Sequence, residues 1–412
     1  MIKKKKKVVL AYSGGLDTSV ILKWLVNKNY DVIAFIADVG QQEDFEKTKE
    51  KAFKIGASKV FVADLKKEFV ESFIFPALKA NAVYESQYLL GTSLARPLIA
   101  KKQVETAKKE GTNILSHGCT GKGNDQVRFE LAWMYLMPDV QIISPWKDSE
   151  FLSKFKGRKD LINYAKEQGI PISATLQKSY SIDENLMHSS FESGVLENSL
   201  NSPDEKMFLK TVSPVNAPDK ETKLIIEFEK GIPIKVSNLN DKKEVSGSLK
   251  LFQYLNKLGG ENGIGRIDII ENRFVGIKSR GVYETPAGTI LLKCHQDLES
   301  IVLDKDLMHF KELLGKKTAE LIYNGFWFSS LMQMLLVSIN ETQKKVSGKT
   351  YLKLYKGNII ITGRESSNSL YNKEIASMDV EGGFNQQDSK GFIAITGLPL
   401  KLQGILNKSD VK

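Results

Sequence analysis

Short apolar runs, each followed by a small or polar loop and then by helically spaced apolar residues, organise the first 145 positions. Val8–Tyr12, Asp31–Ala37, Lys59–Ala63, Asn113–His117 and Val140–Ile143 are such runs. Being short and nearly all apolar, they predict strands buried on both faces. Val20–Val26 reads as the helix after the first strand, opened by Asp17, Thr18 and Ser19. Glu43–Ile55 reads as the next, closed by Gly56. Asp64 can cap a helix after the third strand, and Thr92 or Ser93 can cap the helix running toward Lys108. Alternating strands and helices imply a parallel sheet covered on both sides, with ligands at the carboxyl ends of its strands. That rule gathers residues 12–19, 37–41 and 117–125 at one edge.

The texture changes after a polar helix, Gly157–Gln168, which Gly169-Ile170-Pro171 stops. A domain boundary is placed near residue 170. Beyond it, Leu224–Glu229 with Gly231–Val236, and Tyr351–Ile361, read as antiparallel pairs. Gly247–Leu258 reads as a helix, and Thr285-Pro286 as the cap and first residue of another. Strands and helices mixed without a βαβ rhythm imply an α+β region, so the fold class is α/β followed by α+β. No long-period repeat stands out. The closing segment Phe384–Lys412, with Gly391–Leu402 at its centre, is apolar enough that it should be buried, on its own chain or on a neighbouring subunit.

Composition narrows the class. The chain has 412 residues, 42% hydrophobic and 26% charged, as in globular proteins with two or three domains. Two cysteines, Cys119 and Cys294, form no disulfide framework and fit a reducing compartment. Half of the net charge of +10 lies in Lys3–Lys7, a solvated tail. The remaining excess has no basic–aromatic cluster beside it, so a nucleic-acid partner is not expected. Gly14-Gly15-Leu16-Asp17 breaks the signal-peptide likeness of the N-terminus, and no apolar run approaches the ~20 residues of a membrane span. A cytoplasmic protein without a membrane association is the expectation.

Candidate chemistry starts at Ser13-Gly14-Gly15-Leu16-Asp17-Thr18-Ser19, between a strand and a helix N-terminus. Glycines permit φ > 0 and close backbone approach, and free N–H groups at a positive dipole end attract anions. The phosphate loop with a lysine after its glycines is excluded, because no lysine follows. S-G-G-x-D-[ST] resembles the pyrophosphate loop of enzymes that split ATP between its α and β phosphates. A second glycine loop, Ser116–Arg128, can bind anions through its backbone, with Asn124 or Asp125 capping the next helix and Arg128 on the same helix face as Asn124. Tyr88, Ser93 and Arg96 are a dense polar set for a connector. His188 reads as a packed histidine. The charged clusters Gly265–Arg273 and Gly281–Thr285 read, on their own, as salt-bridged surface. Nothing has zinc-ligand spacing.

Taken together, these stretches resemble argininosuccinate synthases over nearly the full length. The resemblance is carried by Ala11–Ser19, Tyr88–Pro97, His117–Arg128, Ser181–Leu186, Glu271–Arg273 and Tyr283–Thr289. It implies a nucleotide-binding domain of the adenine nucleotide alpha hydrolase type over 1–170, a synthetase domain over 171–370 and a C-terminal oligomerisation arm over 371–412. The implied reaction joins L-citrulline and L-aspartate with ATP through citrullyl-AMP, releasing AMP and pyrophosphate. It also implies Mg²⁺ with the nucleotide, no prosthetic group, no resident metal, and a homotetramer. By resemblance, Ala11, Tyr12, Ser13, Gly14, Gly15, Leu16, Asp17, Thr18 and Ser19 hold ATP, with Ala37 and Gly118 on the adenosine side. Tyr88, Ser93, Asn124, Arg128, Ser181, Ser190, Glu271 and Tyr283 bind citrulline. Thr120, Asn124 and Asp125 bind aspartate. No general base is assigned. Cys119 stands where the family pattern has alanine, which implies inhibition by thiol modification near the nucleotide. A tRNA-modifying thiolase would need a cysteine pair close in sequence, which Cys119 and Cys294 are not.

Overall fold

The computed structural model describes residues 5–171, 180–379 and 383–409. Lys3 and Lys4 of the basic run lie outside them. Five strands, β1 (Lys7–Ala11), β2 (Asp31–Asp38), β3 (Lys59–Asp64), β4 (Ile114–Ser116) and β5 (Gln141–Ile143), form a sheet of order β3-β2-β1-β4-β5. Every pair in it is parallel. Val9, Ile33, Phe35 and Leu115 point into one core, on the side of helix Gly91–Glu110. Val8, Leu10, Val32, Ala34 and Ile36 point into the other, with helices Leu16–Asn27, Phe45–Ile55 and Arg158–Glu167. Both faces are buried, which is why these strands show no in/out alternation in the sequence. The strand order reverses between β1 and β4, and a crevice opens at such a reversal.

Helix starts differ from the sequence expectation where tertiary contacts compete. Helix Gly91–Glu110 begins one residue before Thr92, after Leu90 in the left-handed region (φ 65°). Thr92 and Ser93 therefore sit inside the first turn and cap nothing. A Cβ at Gly91 would strike the ring of His188, so the helix end is pressed against that side chain. The Thr92 hydroxyl turns outward, donating to Asp183 at 2.9 Å and lying 2.8 Å from His188 Nε2. The second helix starts at Phe45, because Asp44 accepts from the Lys47 N–H at 3.1 Å. Asp64 accepts from the Lys66 N–H at 3.1 Å, two residues before the short helix that begins at Lys66 with Leu65 at its N-cap position. Thr285 stands at the N-cap position before Pro286, without a side-chain capping bond.

Among the described residues nine further strands follow: β6 (Ser181–Glu184), β7 (Ser189–Glu192), β8 (Thr222–Glu229), β9 (Ile232–Asn238), β10 (Lys243–Ser246), β11 (Arg266–Asn272), β12 (Lys278–Glu284), β13 (Gly348–Tyr355) and β14 (Asn358–Glu365). They make two antiparallel sheets, β10-β9-β8-β13-β14 and β11-β12-β7-β6. One hydrophobic cluster runs from Val9 and Phe35 through Leu255 and Ile290 to Leu354, so the parallel sheet and the antiparallel sheets share a core. By contacts, the chain to Ser367 is one compact unit and the chain from Asn368 a second. Within the second unit, helices Asp388–Thr396 and Leu398–Ser409 expose Phe392, Ile393, Ile395, Leu400 and Leu406. Among the described residues no helix is long and apolar enough to cross a membrane.

A buried ion pair lies between the helices that pack on the shared core. Glu299 and Lys311 pair at 2.9 Å with side chains only 3% and 2% exposed. Asn81 and Gln343 each donate to Glu299 at 2.6 Å, and their carbonyl oxygens meet His295 at 2.9 and 2.8 Å. Removing one partner of a buried pair strands the rest without a counter-charge. Glu299→Ala is expected to lower unfolding free energy by about 3 kcal/mol, measured by denaturant titration. A midpoint equal to the wild type would show that the network contributes nothing.

Candidate active site

A cavity of about 570 Å³ opens at the carboxyl ends of β1, β2 and β4. Ala11, Tyr12, Ser13, Asp17 and Thr18 line it from the first loop, and Ala37, Val39 and Gln41 from the second strand's end. The first loop is held by its own hydroxyls. Ser13 Oγ and Thr18 Oγ1 are 3.1 Å apart, and Ser19 Oγ lies 3.1 Å from the Tyr12 hydroxyl. Gly14 needs its glycine, with φ +70° and a would-be Cβ 2.8 Å from Thr48 Cγ2. Gly15 is exposed, whereas Leu16 and Ser19 are buried and shape the loop from beneath. Burial raises the pKa of Asp17 above the ordinary carboxylate value.

The second loop touches the first. A Cβ on Gly118 would lie 2.7 Å from Thr18 Cγ2, so only glycine allows the approach. His117, fully buried, accepts the Cys119 N–H at Nδ1 (3.2 Å) and meets Glu130 at Nε2 (2.9 Å). Ser144 and Lys147 also donate to Glu130. Burial would raise the pKa of Glu130, but the hydrogen bonds from His117, Lys147 and Ser144 hold it down to about 2. Asn124 occupies the N-cap position before helix Asp125–Leu136 but does not cap it. Its Oδ1 instead accepts the Phe274 N–H at 3.0 Å, which ties the loop to the turn after β11.

The opposite wall comes from the β11-β12-β7-β6 sheet. Asp183, Ser190 and Tyr283 are register partners on three adjacent strands and line the cavity as one row, beside Ser181 and Glu271. Tyr283 folds back over Gly281, where a Cβ would strike its ring. Tyr88 stacks on Tyr283 at 4.4 Å between centroids, and Ser93 lies buried behind Tyr88. Arg128 places its guanidinium 5.0 Å from the Tyr323 ring and donates to Asp125 at 2.8 Å. Arg96 donates to Asp125 at 2.8 Å and to Asp183 at 2.6 Å. Burial alone would raise the pKa of Asp125, but the two arginines hold it below the usual carboxylate value. Glu271 is pushed up by burial, with Arg128 opposing, and its Oε2 is buried without a hydrogen-bond partner.

Most of the anticipated residues therefore meet in one cavity, Thr120, Asn124 and Asp125 included. Gly14, Gly15, Leu16, Ser19 and Ser93 support its walls without lining it. The clusters around Glu271 and Tyr283 are salt-bridged surface only in part: Arg266 and Asp268 pair with Glu205 and Arg280, whereas Glu271, Tyr283 and Glu284 are buried. Glu284 is fully buried and accepts the N–H groups of Leu209, Lys210 and Thr211. Asp183, Glu192, Arg273 and Tyr323 also line the cavity, although the sequence reading gave them no role. For Asp183 and Glu192 a signal was available, since both alternate with lining residues along β6 and β7. Arg273 pairs with Glu192. His188 is packed as expected, and burial lowers its pKa to about 3.

Cys119 bears on the thiol inhibition that the resemblance implies. Its thiol lines the cavity, but burial pushes its pKa well up, with Asp125 adding to the effect. A thiol without thiolate character is a poor nucleophile. Maleimide labelling of Cys119 at pH 7 should proceed no faster than that of buried Cys294 until the protein is unfolded, as read by mass spectrometry of digests. Rapid labelling of the folded protein would contradict this. Gly118→Ala should separate the two glycine loops and weaken nucleotide binding by about tenfold or more, with citrulline binding retained. Calorimetry with AMP and with citrulline checks both, and an unchanged AMP affinity would show that the loops do not depend on this contact.

Comparisons with known proteins agree with this geometry. The family profile described as Arginosuccinate synthase N-terminal HUP domain matches residues 7–171, and that described as Arginosuccinate synthase C-terminal domain matches residues 180–403. The chain is 60% identical over 408 residues to the argininosuccinate synthase of Thermotoga sp. (strain RQ2), covering 99% of this chain and 100% of that protein. It is 55% identical to the Pseudothermotoga lettingae argininosuccinate synthase over 98% of this chain and 95% of that protein. For the Rattus norvegicus protein of the same name the identity is 54%, over 96% of each chain. The parallel sheet with its two touching glycine loops, the facing antiparallel row and these full-length similarities lead to one conclusion: the chain belongs to the argininosuccinate synthase family.

Proposed function

We propose that this cavity joins L-citrulline to L-aspartate with ATP, releasing AMP and pyrophosphate through a citrullyl-adenylate. The observation that supports this most strongly is the meeting, in one cavity, of two touching glycine loops and a row of polar side chains from the facing sheet. ATP lies along Ala11–Ser19, with Ser13, Gly14 and Gly15 on the phosphates that leave and Ala37 and Gly118 beside the adenosine. Tyr88, Ser93, Asn124, Arg128, Ser181, Ser190, Glu271 and Tyr283 hold citrulline. The buried Glu271 Oε2 suits its ammonium, since an unpartnered carboxylate oxygen gains most from a cation. Thr120, Asn124 and Asp125 hold aspartate.

The chemistry follows from these positions. A ureido oxygen leaves poorly as hydroxide but well as an AMP ester. Its attack on the α-phosphorus breaks the α–β anhydride, and the first loop receives the charge that grows on pyrophosphate. The aspartate amine then displaces AMP. Holding three substrates in line accounts for most of the catalysis, so no dedicated base is assigned.

Mg²⁺ would arrive with the nucleotide. Among the described residues no cluster of three or more potential ligands forms a metal cage. Magnesium is commonly bound through one or two carboxylates plus phosphate oxygens, and Asp17, a half-buried carboxylate lining the cavity at the first loop, fits that role. When bound, the ion neutralises phosphate charge. We also propose a nucleotide domain to about residue 170, a synthetase domain to about 370, and a C-terminal arm that embraces other subunits of a cytoplasmic homotetramer. The exposed apolar side chains of the last two helices support the arm.

Pyrophosphate release from ATP should require citrulline, and formation of argininosuccinate should require aspartate as well. Omitting each substrate in turn decides this, and release indifferent to citrulline would defeat the reading. Asp17→Ala should abolish adenylation while circular dichroism shows an intact fold. Normal turnover in that variant would remove Asp17 from the site.

A further inference from the structure

The first loop has no lysine of its own, yet a lysine reaches it from the neighbouring helix. Lys51, on Phe45–Ile55, donates from Nζ to the Gly14 carbonyl at 2.6 Å. It is half-buried, and burial lowers its pKa, with Glu43 opposing. Thr48, three residues earlier on the same helix face, lies against Gly14 and donates to Glu43 at 2.7 Å. Ser19 Oγ approaches the same Gly14 carbonyl at 3.4 Å. Helix Phe45–Ile55 thus holds one specific peptide of the loop.

The consequence is set by peptide geometry. In a trans peptide the carbonyl and the following N–H point in opposite directions. With the Gly14 carbonyl directed at Lys51, the Gly15 N–H faces away from that helix. Among the described residues no protein acceptor takes that N–H, and Gly15 itself is exposed. An ammonium on the carbonyl also polarises the peptide, which makes the N–H a stronger donor.

We propose that Lys51 is a positioning residue for cleavage of ATP between its α and β phosphates: it fixes and polarises the Gly14–Gly15 peptide so that the Gly15 N–H binds the departing pyrophosphate. The lysine acts through the backbone and does not touch the substrate. The inference rests on the reading of the first loop as the pyrophosphate site.

The test compares Lys51→Met, Lys51→Gln and Lys51→Arg with the wild type. Calorimetry with pyrophosphate and, separately, with AMP is joined to steady-state kinetics. Lys51→Met and Lys51→Gln should weaken pyrophosphate binding and raise the KM for ATP by about tenfold or more, because a charge-assisted hydrogen bond is lost. AMP affinity and the KM for citrulline should stay within about twofold of the wild type. Lys51→Arg, which keeps a charged donor, should recover most of the pyrophosphate affinity. Three results would each overturn the proposal: unchanged pyrophosphate affinity without the charge, parallel loss of AMP, or an arginine variant as impaired as methionine. If the methionine variant does not fold, the glutamine variant carries the same comparison. Pyrophosphate binding is read without turnover. A wild type that binds pyrophosphate but releases none in a citrulline-dependent way would therefore count against the proposed reaction and not against Lys51.

Discussion

Two loops of the N-terminal sheet meet with no room for a side chain between them, and the site depends on that contact. Gly118 rests on the methyl of Thr18, so the loops after β1 and β4 form one continuous surface at the strand-order reversal. Neither loop alone makes more than a general anion site. Their contact brings the backbone of one beside the hydroxyls of the other, where a nucleotide can span both. His117 and Glu130 hold the second loop from behind, through the Cys119 N–H and the Ser144 and Lys147 contacts. The helix Phe45–Ile55 holds the first through Thr48 and Lys51.

The second organising element is a chain of partly buried charge that crosses from the parallel sheet to the antiparallel one. Arg96 joins Asp125, at the start of the helix after the second loop, to Asp183 on β6. Arg128 shares Asp125 and reaches the Tyr323 carbonyl at 2.9 Å. Charges drawn partly out of water are stabilised by partners, and here the partners come from distant parts of the chain. The pairing therefore aligns the glycine loops with the antiparallel row while offsetting its own desolvation. Glu271 is the exception. It is buried beside Tyr283 and Tyr323 with one oxygen unpartnered, which suits a cationic group of a substrate better than a structural role.

Much of the N-terminal half was legible because its signals are local. The apolar runs gave the five parallel strands, and the edge rule placed residues 12–19, 37–41 and 117–125 around one cavity. Helix starts were less legible. Asn124 turns its side chain to the Phe274 N–H, and Thr92 turns to Asp183 and His188, because partners from the other sheet outcompete the local capping bond. Glu271 and Tyr283 looked like charged surface for the same reason: their burial is created by strands more than a hundred residues from the loops they face.

What the sequence determined by itself was the chemistry of each stretch: a glycine loop without a following lysine, a second glycine loop, and polar clusters whose combined order resembles one family. Local composition suffices for this, since turns, strand runs and anion loops are built from neighbours in the chain. The tertiary structure decided which side chains share a cavity, which carboxylates are paired and which are not, that the surroundings of Cys119 disfavour its thiolate, and that Lys51 serves the loop that has no lysine. Those properties depend on burial and on contacts between residues far apart in sequence, and both exist only once the sheets have packed on a common core.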